Sequence, residues 1–175
     1  MRFHRPATLL LTTAAATLMT FTTPTTTASA TTPSTPSIPS TTSPPRPCPE
    51  SALKITASTL TPQHPDTLRI SATNRTTTCV IDRIPTVTFG DLDGAAQPDP
   101  PSESAPYRLA PGASAYATVR TVTGGPSPST RTVGFVTVAA DPAHHGRRFD
   151  AAALGAPAGI PVWSPTTTWW RPSAR

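Results

Sequence analysis

The side chains that could recognise a ligand include three tryptophans near the C-terminus of this 175-residue chain, Trp163, Trp169 and Trp170. Indole rings offer flat surfaces that stack against sugar rings or peptide side chains. Trp169 and Trp170 follow Pro165 and a threonine run, so we predict that both rings are exposed. Trp163 ends an apolar segment and has a second interpretation, in which it caps the core. These three residues are the candidate binding residues of the chain.

Other reactive residues lack the partners that their chemistry requires. No G-x-S-x-G motif surrounds a serine, so a nucleophile on a strained turn is not indicated. Asp91 and Asp93 precede Gly94 as in a calcium loop, but the terminal Glu of a twelve-residue loop is missing, which favours a hairpin turn. His144 and His145 could contact a metal, yet adjacent side chains point apart. We therefore predict no catalytic residue, no metal site and no cofactor.

The composition limits both the fold and the partners. The chain has 24 prolines and 13% charged residues, and since an interior proline costs a helix about 3 kcal/mol, long helices are excluded. Threonine and valine favour strands. The net charge is +5, but the basic residues are scattered singly apart from Arg147 and Arg148. Because a nucleic-acid binder usually shows a clustered basic face, nucleic acid is not an expected partner.

The N-terminal residues have the pattern of an export signal. A stretch with two arginines, an apolar stretch containing Leu9-Leu10-Leu11 and the small residues Ala28-Ser29-Ala30 follow in that order. We predict a signal peptide at residues 1–30 and, at residues 31–47, a disordered Ser/Thr/Pro linker. The protein is then secreted, extracellular or associated with the cell wall, and it has no stable membrane span after cleavage.

Alternation of apolar and polar residues predicts a β domain over residues 48–165, followed by a C-terminal tail at 166–175. Seven or eight short strands with turn signals between them indicate one antiparallel β-sandwich. Two apolar runs flank a polar turn within residues 70–85, which predicts a central hairpin. Residues 95–106 are acidic and rich in proline, as in a surface loop. Residues 151–154 could form a single helical turn.

Cys48 and Cys79 are the two cysteines of the chain. Cysteines of an exported protein meet an oxidising environment, so we expect them to pair. The bond would close a loop of about thirty residues and stabilise the domain by roughly 3–4 kcal/mol.

An ordered set of short motifs resembles a known family. The set comprises Cys48, Thr73-Asn74, the segment 79–87 that begins with Cys79, Asp91-Leu92-Asp93-Gly94 and the segment 109–115 that includes Pro111-Gly112. It is similar to the secreted actinobacterial domain of unknown function four-two-three-two. The resemblance implies an immunoglobulin-like β-sandwich and brings no activity and no catalytic residue. The chain departs from the family pattern at Arg83, and it lacks the second cysteine pair of many members.

These observations favour a non-catalytic binding module that acts outside the cell. Its expected partner is a cell-wall polymer or a secreted protein, and the expected oligomeric state is a monomer. Two alternatives stay open: a protease inhibitor that presents residues 95–106, and a hydrolase whose site has no known motif.

Overall fold

The computed structural model describes residues 46–61, 64–101, 105–125 and 127–174. The predicted signal peptide, and the predicted linker up to residue 45, lie outside these ranges. The described residues form twelve strands and two 3₁₀ turns, η1 at Glu50–Ala52 and η2 at Ala152–Leu154. The strands are β1 Leu53–Thr61, β2 His64–Asn74, β3 Cys79–Ile81, β4 Thr86–Phe89, β5 Gln97–Pro98, β6 Tyr107–Leu109, β7 Ser114–Arg120, β8 Arg131–Val133, β9 Phe135–Ala139, β10 Arg147–Asp150, β11 Ile160–Val162 and β12 Thr166–Thr167.

The all-β fold class is confirmed, with more and shorter strands than the sequence predicted. Several strands have two or three residues, because prolines and glycines interrupt the ladders. Gly134, for example, separates β8 from β9 within a segment that reads as one strand. The strand β10 was not predicted, since its four residues include three charged ones. The predicted helical turn corresponds to η2.

The largest sheet has five strands in the order β1-β2-β7-β12-β5. A three-stranded sheet has the order β10-β9-β4, and the pairs β11-β8 and β3-β6 form two smaller ladders. In the pair formed by β2 and β7, Leu68 lies opposite Val119 and Ile70 opposite Ala117. All four of these side chains are buried. The residues between them point to the opposite face, as the period of two in a strand requires.

One cluster of buried apolar side chains joins the sheets. Ile70 and Val119 of the large sheet belong to it together with Val87 and Val136 of the three-stranded sheet. The alternating residues of β2, β4, β7 and β9 therefore supply the two sides of one core, which is the packing of a sandwich.

The predicted central hairpin is wrong, because β2 and β3 belong to different ladders. Asn74 ends β2 with a fully buried side chain. Its amide nitrogen donates to the carbonyl oxygens of Thr77 (2.8 Å) and Leu109 (3.1 Å), and its Oδ1 accepts from the Thr76 N–H (2.9 Å). These bonds hold a turn that carries the chain across to β3, which pairs with β6.

The predicted disulfide is confirmed. Cys48 and Cys79 are bonded with an S–S distance of 2.01 Å, and both are buried. The Cys48 N–H donates to the Val80 carbonyl at 2.7 Å, so backbone pairing accompanies the bond. The start of the domain is thereby fastened to β3.

The last residues are part of the large sheet rather than a tail beyond it. Strand β12 pairs with β7 and with β5, and Arg171 exchanges two backbone hydrogen bonds of 2.8 Å with Tyr116. Among residues 95–106, predicted as a surface loop, Gln97 and Pro98 form β5. Each segment is too short to show alternation, so the sequence pattern of a strand was missing in both.

The two ends of the five-stranded sheet have neighbours. At one end, Ala95 forms a bridge with Thr88 of β4, and the Ala96 N–H donates to the Val87 carbonyl at 2.8 Å. At the other end, the Arg147 guanidinium of β10 donates to the Ile55 carbonyl of β1 at 3.3 Å. Side chains and short bridges therefore connect the large sheet to the three-stranded sheet on both sides.

Candidate functional site

A cleft of about 600 Å³ opens between the turn after β4 and the segment that joins β11 to β12. We call it the Trp163 cleft. Its apolar wall consists of Phe89, Leu92, Val162, Trp163 and Pro165. Its polar groups include Asp93, Gln97 and Arg131. A concave, mostly apolar cavity of this size with a few polar groups is the usual form of a ligand site.

One neighbouring segment, residues 121–123, fixes the position of Trp163. The Trp163 N–H donates to the Thr121 carbonyl at 2.8 Å, and the Trp163 carbonyl accepts from the Thr123 N–H at 3.0 Å. These bonds form a parallel bridge with Val122 immediately after β11 ends. The indole is half-buried. A rigid backbone therefore holds a partly exposed aromatic ring at the wall of the cleft.

The backbone is strained at the next residue. Ser164 has a φ of 47°, in the left-handed region that costs a residue other than glycine roughly 1–2 kcal/mol. The Thr123 hydroxyl donates to the Ser164 carbonyl at 2.5 Å and holds the turn. Strained residues cluster at functional sites, where the surrounding structure holds them. Ser164 also lines the cleft, so the strain lies at its wall.

The turn after β4 provides the opposite side of the cleft. Gly90 and Gly94 both have positive φ, so they allow the chain to reverse within residues 90–94. The Leu92 side chain is 38% exposed, one of two large apolar side chains exposed to that degree among the described residues. An apolar side chain at the tip of an Asp/Gly turn is accessible to a ligand.

Two opposite charges line the cleft without a protein partner. Asp93 and the exposed Arg131 form no ion pair and no side-chain hydrogen bond with the residues that the structure describes. The Gln97 amide donates to the Ala95 carbonyl at 3.3 Å and keeps its oxygen as an acceptor. The cleft can therefore offer aromatic stacking, apolar contact and charge-assisted hydrogen bonds to one ligand.

The three tryptophans lie in three different surroundings, and only Trp163 lines the cleft. The predicted exposure of Trp170 is wrong: its side chain is 0% exposed and belongs to the core cluster. The reason is that the chain continues along β7 after β12. The backbone N–H of Trp170 donates to the Arg83 carbonyl at 2.9 Å, and this backbone position directs the ring inward. A ring in this position has no surface for a ligand.

Trp169 is half-buried and belongs to a cation–π cluster. Its Nε1–H donates to the Pro100 carbonyl at 3.0 Å, and the Arg83 guanidinium lies 5.8 Å from its ring and 5.1 Å from the ring of Tyr107. Arg83, the residue that departs from the family pattern, thus lies between two aromatic rings. The contacts explain Trp169 as packing, and its binding role stays a prediction.

The remaining sequence candidates have structural contacts. Nε2 of His144 lies 3.0 Å from the Cys48 carbonyl oxygen. The Glu50 carboxylate accepts the backbone N–H groups of His145 (3.2 Å) and Gly146 (2.7 Å). Among the described residues, no group of three or more His, Cys, Asp or Glu side chains could hold a metal ion.

Sequence reasoning missed Leu92 and Arg131 as cleft residues and placed Asp93 only in a turn. Leu92 carried the one available signal, a large apolar residue between two aspartates in a glycine turn. Arg131 had none, since the pairing of β8 with β11 is what brings it towards Trp163.

These features define a class, a small all-β domain with one disulfide and a cleft beside an aromatic residue. The family model of a domain of unknown function (DUF4232) matches residues 48–171. Since the match covers more than half of the chain, the protein belongs to that family, as its motifs predicted. No curated protein and no solved structure matched the chain. None of the described helical segments is long and apolar enough to cross a membrane.

Proposed function

We propose that the protein is a non-catalytic binding module that acts outside the cell and holds its ligand in the Trp163 cleft. The observation that carries this proposal is the cleft itself, where an aromatic ring, an exposed leucine and two unpaired charges face one cavity. Fixed contacts of this kind give a ligand orientation and specificity at a low cost in conformational entropy.

The export pattern and the disulfide support an extracellular location. Disulfides persist in oxidising compartments and are rare in reducing ones. The partner is then a cell-wall polymer or a secreted protein. A cleft of about 600 Å³ holds a ligand segment the size of a small molecule, such as a few sugar units, rather than the broad face of a protein. A cell-wall polymer is therefore the first candidate.

The inhibitor alternative has weaker support. Residues at the start of the loop are engaged in the fold: Gln97 and Pro98 pair with β12, and the Pro100 carbonyl accepts from Trp169. Fewer residues are then left to enter a protease cleft as an extended segment.

Retention on insoluble cell-wall polysaccharide tests the proposal. We expect the mature protein to be retained and the variant W163A to lose at least about fivefold in retention, since stacking on an aromatic side chain contributes about 1–3 kcal/mol by alanine substitution. L60A is the matched control, because it removes an exposed apolar side chain outside the cleft and should bind like the wild type. Equal retention of W163A and the wild type would refute the assignment of the cleft.

Two further measurements separate the alternatives. Turnover in a broad panel of hydrolase substrates would replace the non-catalytic proposal with an enzymatic one. Stoichiometric inhibition of a secreted protease, unaffected by W163A, would favour the inhibitor.

A further inference from the structure

The outer face of the five-stranded sheet brings together cations that are far apart in the sequence. Lys54 of β1 and Arg69 of β2 occupy outward positions in the register of these strands. Arg120 lies on the same face of β7, two residues beyond Thr118, which pairs with Arg69. Arg171 joins this face through its bridge to Tyr116. We call these four residues and the hydroxyl side chains between them the cationic sheet face. Its four basic side chains are all exposed.

Among the described residues, the paired outward positions of this face hold no carboxylate. The outward positions paired in these registers carry Ser, Thr, Tyr, Arg and Lys residues and no Asp or Glu. Asp66, near the start of β2, lines one pocket with Arg120 but forms no ion pair with it. In the strand pattern Asp66 falls on the side of the buried Leu68 and Ile70. Among the described residues, the one ion pair of the chain is Arg148–Asp150, on β10. The four cations of this face therefore form no ion pair with any described residue.

The three arginines of the face lie on neighbouring segments of the large sheet. Arg69 and Arg171 line the same small notch together with Tyr116 and Thr118. Arg120 lies one strand away from Arg69 and two residues further along, a diagonal separation of about 8 Å between Cα atoms at ordinary sheet spacing. Three guanidinium groups can thus reach anionic groups spaced along one extended ligand.

Rows of hydroxyl groups run between the cations. Thr56 and Ser71 share a hydrogen bond of 2.7 Å between their hydroxyls, and so do Thr73 and Ser114. Each shared hydrogen bond uses one proton, so every pair still has a donor or an acceptor for a further partner. Such rows complement the many hydroxyl groups of a sugar chain.

We infer that the cationic sheet face binds an acidic polysaccharide, a linear sugar polymer that carries carboxylate groups. Guanidinium groups match carboxylates with two parallel hydrogen bonds, and the face supplies both those groups and hydroxyls in one plane. Single-stranded nucleic acid is disfavoured because it needs stacking platforms, and Tyr116, which is half-buried, is the one aromatic side chain at these register positions. This surface is separate from the Trp163 cleft, so the inference does not depend on the proposed ligand of that cleft.

Titration with polygalacturonate tests the inference, with neutral dextran and duplex DNA as comparisons. We expect binding to polygalacturonate that weakens as salt rises from 0.05 M to about 0.3 M, because exposed charges are screened. The triple variant R69Q/R120Q/R171Q should bind roughly tenfold more weakly, at the strength expected for three exposed charge pairs. The W163A variant should bind polygalacturonate like the wild type.

The matched control removes three exposed arginines outside this face, in the triple variant R46Q/R108Q/R148Q. It should bind within about twofold of the wild type, while circular dichroism shows that both triple variants are folded. Three outcomes would each overturn the inference: no binding of polygalacturonate, an equal loss in the two triple variants, or tighter binding of duplex DNA than of polygalacturonate.

Discussion

At the scale of single residues, three tryptophans illustrate how position decides the role of a side chain. Trp163 lines the cleft, Trp169 packs against Arg83, and Trp170 is enclosed in the core. The amino-acid type is the same in each case, but the backbone pairing around it differs. The contribution to stability should therefore differ as well.

Replacing Trp170 with alanine should lower the free energy of unfolding by about 3–5 kcal/mol, because a fully buried aromatic side chain leaves a large cavity. The variant W169A should cost clearly less, since that ring is half-buried. Urea denaturation monitored by circular dichroism measures both values. Equal midpoints for W170A and the wild type would contradict the burial of Trp170.

Replacing Ser164 with glycine should stabilise the domain slightly. Relief of the left-handed strain is worth roughly 1–2 kcal/mol, and the extra freedom of glycine in the unfolded chain costs about 0.5–1 kcal/mol. The net expectation is a gain of about 0.5 kcal/mol in urea denaturation. The variant S129G, in the same cleft but without a positive φ, should lose stability instead. A loss in S164G would show that the turn is not strained.

At the scale of elements, the C-terminal segment completes both the large sheet and the core. Strand β12 lies between β7 and β5, and the Asp99 N–H donates to the Thr167 carbonyl at 2.8 Å. The polar threonines and the prolines around them give no alternation, so the sequence alone indicated a tail. Only the pairing with β7 shows that these residues form a strand.

Deletion of residues 166–175 should therefore abolish the cooperative unfolding transition. The deletion removes β12 and Trp170, so β7 keeps only β2 as a neighbour, β5 loses its partner in the sheet, and the core is opened to water. Deletion of residues 173–175 alone should leave the melting temperature almost unchanged, since Ser173 is exposed and forms no strand. A cooperative transition in the longer deletion, seen by thermal circular dichroism, would mean that the segment is dispensable.

The sequence predicted the elements with strong local patterns and missed those that depend on distant contacts. Alternation of apolar and polar residues predicted the β domain, and it is clear in β1, β2 and β7, where the buried residues of β2 and β7 recur at every second position. The pairing of β3 with β6 could not be predicted, because it joins segments far apart in the chain and is accompanied by distant contacts such as the bond from Asn74 to the Leu109 carbonyl. The cationic sheet face was missed for the same reason: its cations are isolated in sequence and become neighbours only through strand register.

At the scale of the whole molecule, the disulfide limits the freedom of the unfolded chain. It closes a loop across a sequence separation of 31 residues. The double variant C48A/C79A should lose about 3–4 kcal/mol of unfolding free energy in the chain-entropy model. Urea denaturation of the variant and of the wild type with and without reductant measures this, and the reduced wild type should resemble the variant. Equal stability of all three would contradict a structural role.

Mass spectrometry of the secreted protein checks the same bond together with the export prediction. The non-reduced mass should correspond to a chain that begins near Thr31 and lacks the two hydrogens of the free thiols. A mass that includes the N-terminal 30 residues would refute cleavage, and a dithiol mass would refute the bond.

The connections at the two ends of the large sheet have a consequence for the association of one molecule with another. An uncovered strand edge acts as a template on which another chain can add a strand and begin a fibril. Here the bridge between Ala95 and Thr88 covers one end, and the Arg147 guanidinium occupies a carbonyl of β1 at the other. These contacts occupy part of each edge, so fewer backbone groups are left there to pair with a strand of another molecule.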